Sequence, residues 1–397
     1  MNISNISNCY GCGICAIVCG KKIIHMRLNK DGFYEPNIDE PEKCSNCGLC
    51  VDVCSYSQKG LSLNESSILS YAAWSKDEAV RRKCSSGGVG FELGRTLIEQ
   101  GYKVCGVRYN IEKNRAEHYV ATTKEELIQS IGSKYIQSYT VDGFKTINRK
   151  GKYLVTGTPC QIDSFRRYIQ RFEVEDNFIL MDFFCHSVPS MHTWQKYLNM
   201  VEKKTGKIVY ASWRNKFTGW HDSWAISIDG EKTGDKVNWH DSYNLLIKGK
   251  KGFFNSRLSQ GDLFYKLFLG DYCCNPACQK KCKYKYDQSS ADIRIGDLWG
   301  KTYMKDEEGV SALVAFTSKG KNVISQLENC YLHEHSFDVV AEGQMKKNAG
   351  NSLISPIVKG FLRSSIPMSK TLLNILFYLE RVINKIVRIT CKIKLYR

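Results

Sequence analysis

Apolar runs and amphipathic segments alternate along most of the chain after residue 68. The short apolar runs predict strands. These lie at 69–74, 102–109, 152–156, 178–184, 208–213, 293–296 and 312–316. Between several of them, apolar residues recur at helical spacing. The helices so predicted lie at 89–100, 162–170 and 191–203. Such alternation favours an α/β domain with a mainly parallel or mixed sheet, whose ligands gather at strand ends.

The first sixty residues follow a different pattern. Alternating and aromatic residues flank the turn signal Asp31-Gly32, which predicts a β-hairpin. A polar, Ser-rich stretch, "SYSQKGLSLNESS", separates this part from the body of the chain. We therefore predict a small domain and a linker before the α/β domain, and a basic amphipathic helix after it. Their residues are 1–60, 61–70, 71–350 and 365–397.

Two runs of cysteines in the small domain share spacings of two, two and three residues. They are Cys9, Cys12, Cys15, Cys19 and Cys44, Cys47, Cys50, Cys54. This duplicated run is the signature of the bacterial two-cluster ferredoxin, in which the fourth cysteine of each run binds the other cluster. Cluster one is then expected to use Cys9, Cys12, Cys15 and Cys54. Cluster two is expected to use Cys44, Cys47, Cys50 and Cys19. Zinc, which usually pairs two Cys-x2-Cys knuckles at longer separation, is the alternative.

The residue after each run departs from the usual proline. Gly20 and Ser55 stand there instead, and both have the backbone N–H that proline lacks. Neutral change in a tolerant turn is the favoured interpretation, and a shift in cluster potential is the other. The fold class predicted is an α+β ferredoxin-like two-cluster domain followed by an α/β domain with a mixed sheet.

Four further cysteines lie in the ten residues "CCNPACQKKC". They are Cys273, Cys274, Cys278 and Cys282. This density, beside basic residues that would offset a negative cluster, predicts a third iron-sulfur site, with a zinc knuckle as the alternative. Eighteen cysteines without a secretion signal make a poor disulfide scaffold, because the cytosol keeps thiols reduced. Metal thiolates in a cytoplasmic protein are the expected use.

The net charge of +17 is partly offset if clusters are bound. Each cubane cluster with four thiolates carries about two negative charges, so three clusters would lower the net charge to about +11. The excess suits acidic partners, anionic cofactors or a lipid surface. A zinc-dependent nucleic-acid binder is a further alternative, but a recognisable binding module is lacking, and we expect no nucleic-acid partner.

The segment after Pro367 combines apolar residues near helical spacing with late basic residues. Such an amphipathic helix would lie at the inner face of an anionic membrane or pack on the protein's own core. The sequence pattern leaves both open.

Two glycine-containing loops stand at the starts of predicted helices. "CSSGGVG", residues 84–90, would let backbone N–H groups and the helix N-terminus approach an anion such as a pyrophosphate. "LVTGTPCQI", residues 154–162, places Cys160 near a helix N-terminus, where its thiolate would be stabilised. A simple turn is the alternative for each loop.

Taken together, these loops resemble a family, the beta subunits of coenzyme F-420 hydrogenases and dehydrogenases, in its bacterial stand-alone type. The matching stretches follow the family's order over about residues 8 to 318. Besides the ferredoxin runs they are "SSGG" at 85–88, "GSKYIQS" at 132–138, "GTPCQ" at 157–161, "CHSVPS" at 185–190 and "DIRIGDLWG" at 292–300.

The resemblance implies an iron-sulfur flavoprotein with FAD in the α/β domain and a third 4Fe-4S cluster between FAD and the two N-terminal 4Fe-4S clusters. Two groups of residues are implied at the flavin or its substrate. The first, at the FAD phosphates, is Ser86, Gly87 and Gly88. The second is Gly132, Ser133, Lys134, Tyr135, Gly157, Thr158, Pro159, Cys160 and Gln161. The third cluster would draw on Cys273 or Cys274, Cys278 and Cys282, with Cys185 as a further ligand.

Three departures from the family pattern concern the body of the chain. Ser187 replaces the glycine of Cys-His-Gly-Val-Pro, and Leu298 replaces a usual phenylalanine. Cys278 and Cys282 are separated by three residues where the family commonly has two, which changes the bite of the loop. This last departure concerns the identity of the third cluster's ligands.

The expected function is an oxidoreductase that passes electrons between clusters and FAD to reduce or oxidise an organic substrate. The resemblance implies either the deazaflavin coenzyme F-420 or a sugar-linked substrate of surface polysaccharide synthesis, and a redox partner such as ferredoxin or another oxidoreductase subunit. A non-catalytic electron-relay subunit is the alternative. His186 and Lys134 lie in matching loops, but the sequence identifies no catalytic acid or base.

Overall fold

The computed structural model describes residues 2–63, 68–233 and 253–395, with side chains up to residue 386. Four residues of the predicted linker, 64–67, lie outside the described residues. So do the side chains of the last basic residues of the tail, from Arg388 onward.

The strands follow the apolar runs of the sequence closely, with several additions. In chain order they are β1 (Ile24–Leu28), β2 (Tyr34–Ile38), β3 (Leu69–Ser75), β4 (Lys103–Asn110), β5 (Arg115–Ala121), β6 (Ser138–Tyr139), β7 (Tyr153–Thr156), β8 (Phe178–Phe183), β9 (Ile208–Ser212), β10 (Ala225–Gly230), β11 (Phe254–Arg257), β12 (Ile293–Asp297), β13 (Ser311–Ala315) and β14 (Cys330–Glu334).

The helices lie mainly between these strands. They are α1 (Ile14–Val18), α2 (Leu49–Asp52), α3 (Glu78–Lys83), α4 (Val89–Glu99), α5 (Lys124–Leu127), α6 (Val141–Lys145), α7 (Pro159–Arg171), α8 (Met191–Thr205), α9 (Leu263–Leu269), α10 (Pro276–Lys280), α11 (Ser318–Ile324), α12 (Phe337–Val340), α13 (Ser355–Arg363) and α14 (Lys370–Leu395).

Nine strands form one mixed sheet in the order β14-β3-β13-β12-β8-β7-β4-β5-β6. Its centre, β12-β8-β7-β4, is parallel, and antiparallel pairs flank it through β13 and β5. Central strands such as β13 are buried along their whole length, because helices cover both faces. The predicted mixed sheet is confirmed.

The predicted strand at 208–213 belongs to a second, smaller sheet. β9, β10 and β11 form three antiparallel strands, and α8 packs against all three. β10 and β5 have no counterpart among the predicted strands. Their sequences, "AISIDG" and "RAEHYVA", carry polar residues that are buried only because neighbouring elements cover them.

The N-terminal domain is a hairpin with two short helices. β1 pairs with β2 in antiparallel register around Gly32, whose φ of +77° suits the tight turn that the sequence predicts. α1 and α2 each begin after a left-handed glycine, Gly13 or Gly48, within the two cysteine runs. The domain lies directly against the body, where the side chain of Thr140 donates a hydrogen bond to the Cys12 carbonyl (2.8 Å).

The C-terminal helix, α14, packs on the body through its first half. Leu373 and Phe377 are buried in the largest hydrophobic cluster, and Glu380 is turned inward to accept hydrogen bonds from Tyr272 and Ser352. The opposite face exposes a row of apolar side chains. They are Ile375, Tyr378, Leu379, Val382, Ile383 and Ile386. In the described part of the chain, every helix is too short or too polar to span a bilayer.

Candidate iron-sulfur and flavin sites

Cys54 joins the first three cysteines of the first run. Cys9, Cys12, Cys15 and Cys54 line one cavity together with apolar side chains. We call them the first set. The fold achieves this because α1 and α2 pack side by side, so that the end of the second run reaches the start of the first. This is the crossed pattern that the sequence predicts.

Cys19 correspondingly lies near the second run. The pKa of Cys50 is raised by burial and by the nearby charges of Cys47 and Cys19. Cys44 receives a hydrogen bond from the Asn2 amide (3.5 Å), and Cys47 is exposed. These four cysteines, the second set, therefore lie at the outer end of the domain.

The chemistry of the first set fits a bound cationic group. Burial raises the pKa of Cys12 to about 11 and those of Cys9 and Cys15 further, so the sulfurs would be neutral thiols unless a metal stabilised the thiolates. In tetrahedral zinc the sulfurs lie about 3.8 Å apart. Among the described residues, no three cysteines bring their sulfurs within 4.8 Å of one another. This spacing favours a cluster over a single ion.

A third set of cysteines comes from three distant loops. Cys160 is the second residue of α7, Cys185 follows β8, Cys278 lies in α10 and Cys282 follows α10. Nearby charges of Cys278 and Cys185 add to burial in raising the pKa of Cys160, and those of Cys185 and Cys282 do so for Cys278. These mutual effects show that the four thiols lie near one another.

Two residues predicted to bind cofactors lie as follows in the structure. Cys160, expected beside the flavin, lies with Cys185 and Cys278. Cys273, predicted together with Cys274 as an alternative ligand of the third cluster, is fully buried in the hydrophobic cluster around α8, and its thiol contacts Thr193 of that helix. The adjacent Cys273 and Cys274 point in different directions. The packing of the loop, and not the spacing of the cysteines, therefore decides which sulfur can bind a metal.

Ser55 connects the first and third sets. Its backbone N–H donates to Ser164 Oγ (3.0 Å), and its hydroxyl donates to the Cys160 carbonyl (2.9 Å). Ser164 Oγ also lies 3.2 Å from Cys12 Sγ. Proline could make neither Ser55 bond, so the serine has a structural role that proline could not fill. Gly20, at the matching place in the first run, is exposed and has open space where a Cβ would lie.

Tyr10 also lies between the two sets. Its ring packs edge-on against Tyr56 and Tyr284, and its hydroxyl donates to the Lys281 carbonyl. Burial raises its pKa well above the usual range, with added effects of Cys160 and the other third-set thiols. The tyrosine is therefore neutral and fills the space between the sets.

The two loops expected at FAD lie side by side. The backbone N–H of Ser133 donates to Ser85 Oγ (2.9 Å). Arg214 donates to both the Tyr135 hydroxyl (3.1 Å) and the Ser85 carbonyl (3.3 Å), and it forms a buried ion pair with Asp297 (2.8 Å). Arg214 follows β9, and sequence reasoning gave no signal for it.

Two lysines border these loops, of which Lys216 is buried and Lys134 is half-buried. Lys216 Nζ donates to the carbonyls of Ser86 (2.6 Å) and Arg81 (2.7 Å). Lys134 Nζ donates to three carbonyls of its own loop, including Gly132 (3.0 Å). Burial lowers the pKa of each lysine to about 7, although the charge of Cys84 opposes this. A bound anion such as a diphosphate would favour the charged lysines, so the site fits that part of FAD.

The glycine-rich loop itself is held against the sheet. Ser86 Oγ donates to the Val310 carbonyl (2.7 Å), and the Gly87 N–H donates to Ser311 Oγ (3.0 Å). Gly88, at φ +89°, precedes α4. In this structure the Gly87 N–H is therefore used within the protein, and the expected phosphate contacts stay a prediction.

The loop 157–161 adopts a regular helix start. Pro159 is the first residue of α7, and the Gln161 side chain accepts a hydrogen bond from the Thr158 N–H (2.9 Å). Gln161 also donates to Ser138 Oγ (3.1 Å) at the end of the 132–138 loop. This loop thus joins the third set of cysteines to the loops expected at FAD.

Comparison with known proteins now identifies the family. The model for the N-terminal part of the coenzyme F420 hydrogenase/dehydrogenase beta subunit matches residues 70–143, and that for its C terminus matches residues 150–339. A 4Fe-4S dicluster domain matches residues 8–57. The chain belongs to the coenzyme F420 hydrogenase/dehydrogenase beta subunit family.

Membership establishes an iron-sulfur protein related to redox enzymes. No protein among those with curated functions matches the chain. It resembles one chain of the solved F420-reducing [NiFe] hydrogenase complex from Methanosarcina barkeri, with 17% identity, coverage of 77% of this chain and 90% of that chain, and a TM-score of 0.43.

Two departures from the family pattern have clear surroundings. Leu298 is fully buried in a small cluster with Trp220 and Val310. Ser187 Oγ lies 2.8 Å from the sulfur of Cys274. His186, beside it, pairs with Asp271 (Nε2 to Oδ1, 2.8 Å).

Proposed function

We propose that this member of the F420 hydrogenase/dehydrogenase beta subunit family is an iron-sulfur flavoprotein oxidoreductase with three 4Fe-4S clusters and FAD. The observation that carries the proposal is the order of the sites. The second set, which includes exposed Cys47, lies next to the first set. Ser55 joins the first set to the third, and Gln161 joins the third set to the loops at Ser85 and Ser133.

The chain's residues divide the work of holding these groups. The first and second sets would hold two clusters in residues 1–60, and Cys160, Cys185, Cys278 and Cys282 would hold the third within 71–350. Clusters exchange single electrons and a flavin exchanges one or two, so the combination connects a one-electron partner to a two-electron substrate. The second set, with exposed Cys47, is the end at which we place a redox partner such as ferredoxin.

Lys134 and Lys216 support the FAD assignment. Lys216 is buried and Lys134 is half-buried, and the Nζ of each donates hydrogen bonds to backbone carbonyls. Two such cations beside one loop favour a dianionic ligand. We propose that the organic substrate is coenzyme F-420 or a sugar-linked precursor of surface polysaccharide, handled in the cytoplasm.

The C-terminal helix supports a peripheral contact with anionic membrane. Its acidic residue in the described half, Glu380, is turned inward, whereas Arg381 and Lys385 flank the exposed apolar row. An apolar face with flanking cations binds anionic lipid surfaces. This helix would hold the protein near membrane-bound substrate without crossing the bilayer.

Metal and flavin analysis of anaerobically purified, reconstituted protein tests the proposal. We expect about twelve irons per chain and flavin absorption above a broad iron-sulfur background. Cys160→Ala should lose about four irons, while the matched variant Cys273→Ala should lose none. Iron without any flavin would instead support the electron-relay alternative, and a colourless zinc protein would refute both.

A further inference from the structure

Three potential metal ligands converge beside the third cysteine set without belonging to it. His186 Nε2 lies 2.8 Å from Asp271 Oδ1, and Cys274 Sγ lies 3.6 Å from the same oxygen. Over the described residues, this is the single group of three or more His, Cys, Asp or Glu side chains whose ligand atoms lie within 4.8 Å of one another. The sulfurs of the three cysteine sets are more widely spaced.

Two separate segments build this group. His186 follows Cys185 after β8, while Asp271 and Cys274 lie in the loop between α9 and α10. Asp271 adopts a left-handed backbone with φ +62°, a conformation that aspartate tolerates better than most residues. Cys274 pairs with Pro189 in an isolated antiparallel bridge, so the two segments are joined by backbone as well as by side chains.

We propose that His186, Asp271 and Cys274 bind one zinc ion, distinct from the iron-sulfur clusters. An imidazole, a carboxylate and a thiolate are all ordinary zinc ligands, and three protein ligands with one open position occur at solvent-accessible zinc sites. Ionised Asp271 and Cys274 together carry the two negative charges that a divalent ion neutralises. The inference does not depend on the flavin or on the final substrate.

The distances need little adjustment. Zinc bonds of about 2.0 Å to nitrogen and oxygen and about 2.3 Å to sulfur put tetrahedral ligands about 3.3 Å (N to O) and about 3.5 Å (S to O) apart. The 3.6 Å between Cys274 and Asp271 already matches. The 2.8 Å between His186 and Asp271 has to widen by about half an ångström, within the reach of side-chain rotation.

The surroundings match a metal site in two further respects. Ser187 Oγ, 2.8 Å from Cys274 Sγ, can donate to the thiolate, as residues around metal ligands commonly do. The backbone N–H of Gly350 donates to the second oxygen of Asp271 (2.5 Å) and orients the carboxylate.

Solvent can reach one side of the group. Cys274 is buried, but the side chains of His186 and Asp271 are 23% and 18% exposed. This leaves a path for the ion and room for a water molecule as the fourth ligand. Ser187, which replaces the family's glycine, and Cys274 would therefore belong to one zinc site, Cys274 as a ligand and Ser187 as a hydrogen-bond donor to its thiolate.

Zinc K-edge absorption spectroscopy of the fully iron-loaded protein, purified in zinc-containing medium, tests this proposal. We expect about one zinc per chain with one sulfur and about three nitrogen or oxygen neighbours. Cys274→Ala and His186→Gln should each lose the zinc with the iron content unchanged. Cys273→Ala, which alters the adjacent buried cysteine, should retain it.

Two results would overturn the proposal. One is full iron loading with no zinc above the level of the Cys274→Ala protein, which would leave His186 and Asp271 as a plain hydrogen-bonded pair. The other is zinc surrounded by sulfur only, which would mean that zinc had replaced iron in a cysteine set. Should a variant lose iron, equilibrium dialysis of zinc into iron-loaded wild-type protein, with the same spectroscopic readout, decides between these outcomes.

Discussion

Replacing Ser55 with proline would restore the residue that usually follows a ferredoxin run and remove the bridge between two cysteine sets. Proline has neither the N–H that donates to Ser164 nor the hydroxyl that donates to the Cys160 carbonyl. Ser55 and Ser164 are fully buried, so water cannot replace these bonds. We expect the contact between the N-terminal domain and α7 to loosen.

The size of the effect follows from the two bonds. Each contributes about 1 kcal/mol net, so the variant should lose about 2 kcal/mol of local stability. A change of 1.4 kcal/mol is tenfold in an equilibrium constant, so local opening should become about 30-fold more frequent. The Leu61 N–H, which donates to Asp163 of α7 (3.1 Å), reports on this contact.

Amide hydrogen exchange of the anaerobic, iron-loaded protein measures local opening directly. Peptides covering residues 55–63 should exchange about 30-fold faster in Ser55→Pro. Gly20→Pro is the matched control, because that site is exposed and the preceding Cys19 already has an extended backbone that proline accepts. Unchanged exchange in Ser55→Pro, or equal acceleration in Gly20→Pro, would refute the role of the bridge.

Three further predictions concern other parts of the molecule. The pKa values of Lys134 and Lys216 are about 7, so both lysines lose their charge as pH rises through 7, and FAD affinity in equilibrium titrations should fall over that range. Lys216→Met should weaken FAD binding about tenfold at pH 6.5 and remove much of this pH dependence. Gly87→Ala should destabilise the protein by about 2 kcal/mol in thermal unfolding, because the added Cβ would lie closer to the Ala73 carbonyl than the 3.0 Å that side chains keep. Gly360→Ala is the control and should not destabilise the protein, because open space surrounds the position of its Cβ. Co-sedimentation with anionic vesicles should be lost when the exposed apolar row of α14 is made acidic, with neutral vesicles as the control.

The sequence by itself determined the features whose parts are close together in the chain. The eight N-terminal cysteines, the hairpin at Gly32 and the central strands of the sheet depend on local spacing and on runs of apolar residues, which one segment contains. Family membership followed from the same short motifs, because each motif keeps its residues in order.

Tertiary structure alone decided what depends on distant segments meeting. Cys160 rather than Cys273 lies with Cys278, because α7 turns its first residues toward α10 while α8 buries Cys273. The structural role of Ser55 depends on its hydrogen bond to Ser164, which lies more than a hundred residues later in the chain. A side chain's neighbours across such separations are set by packing, to which the local pattern of hydrophobic and polar residues gives no guide.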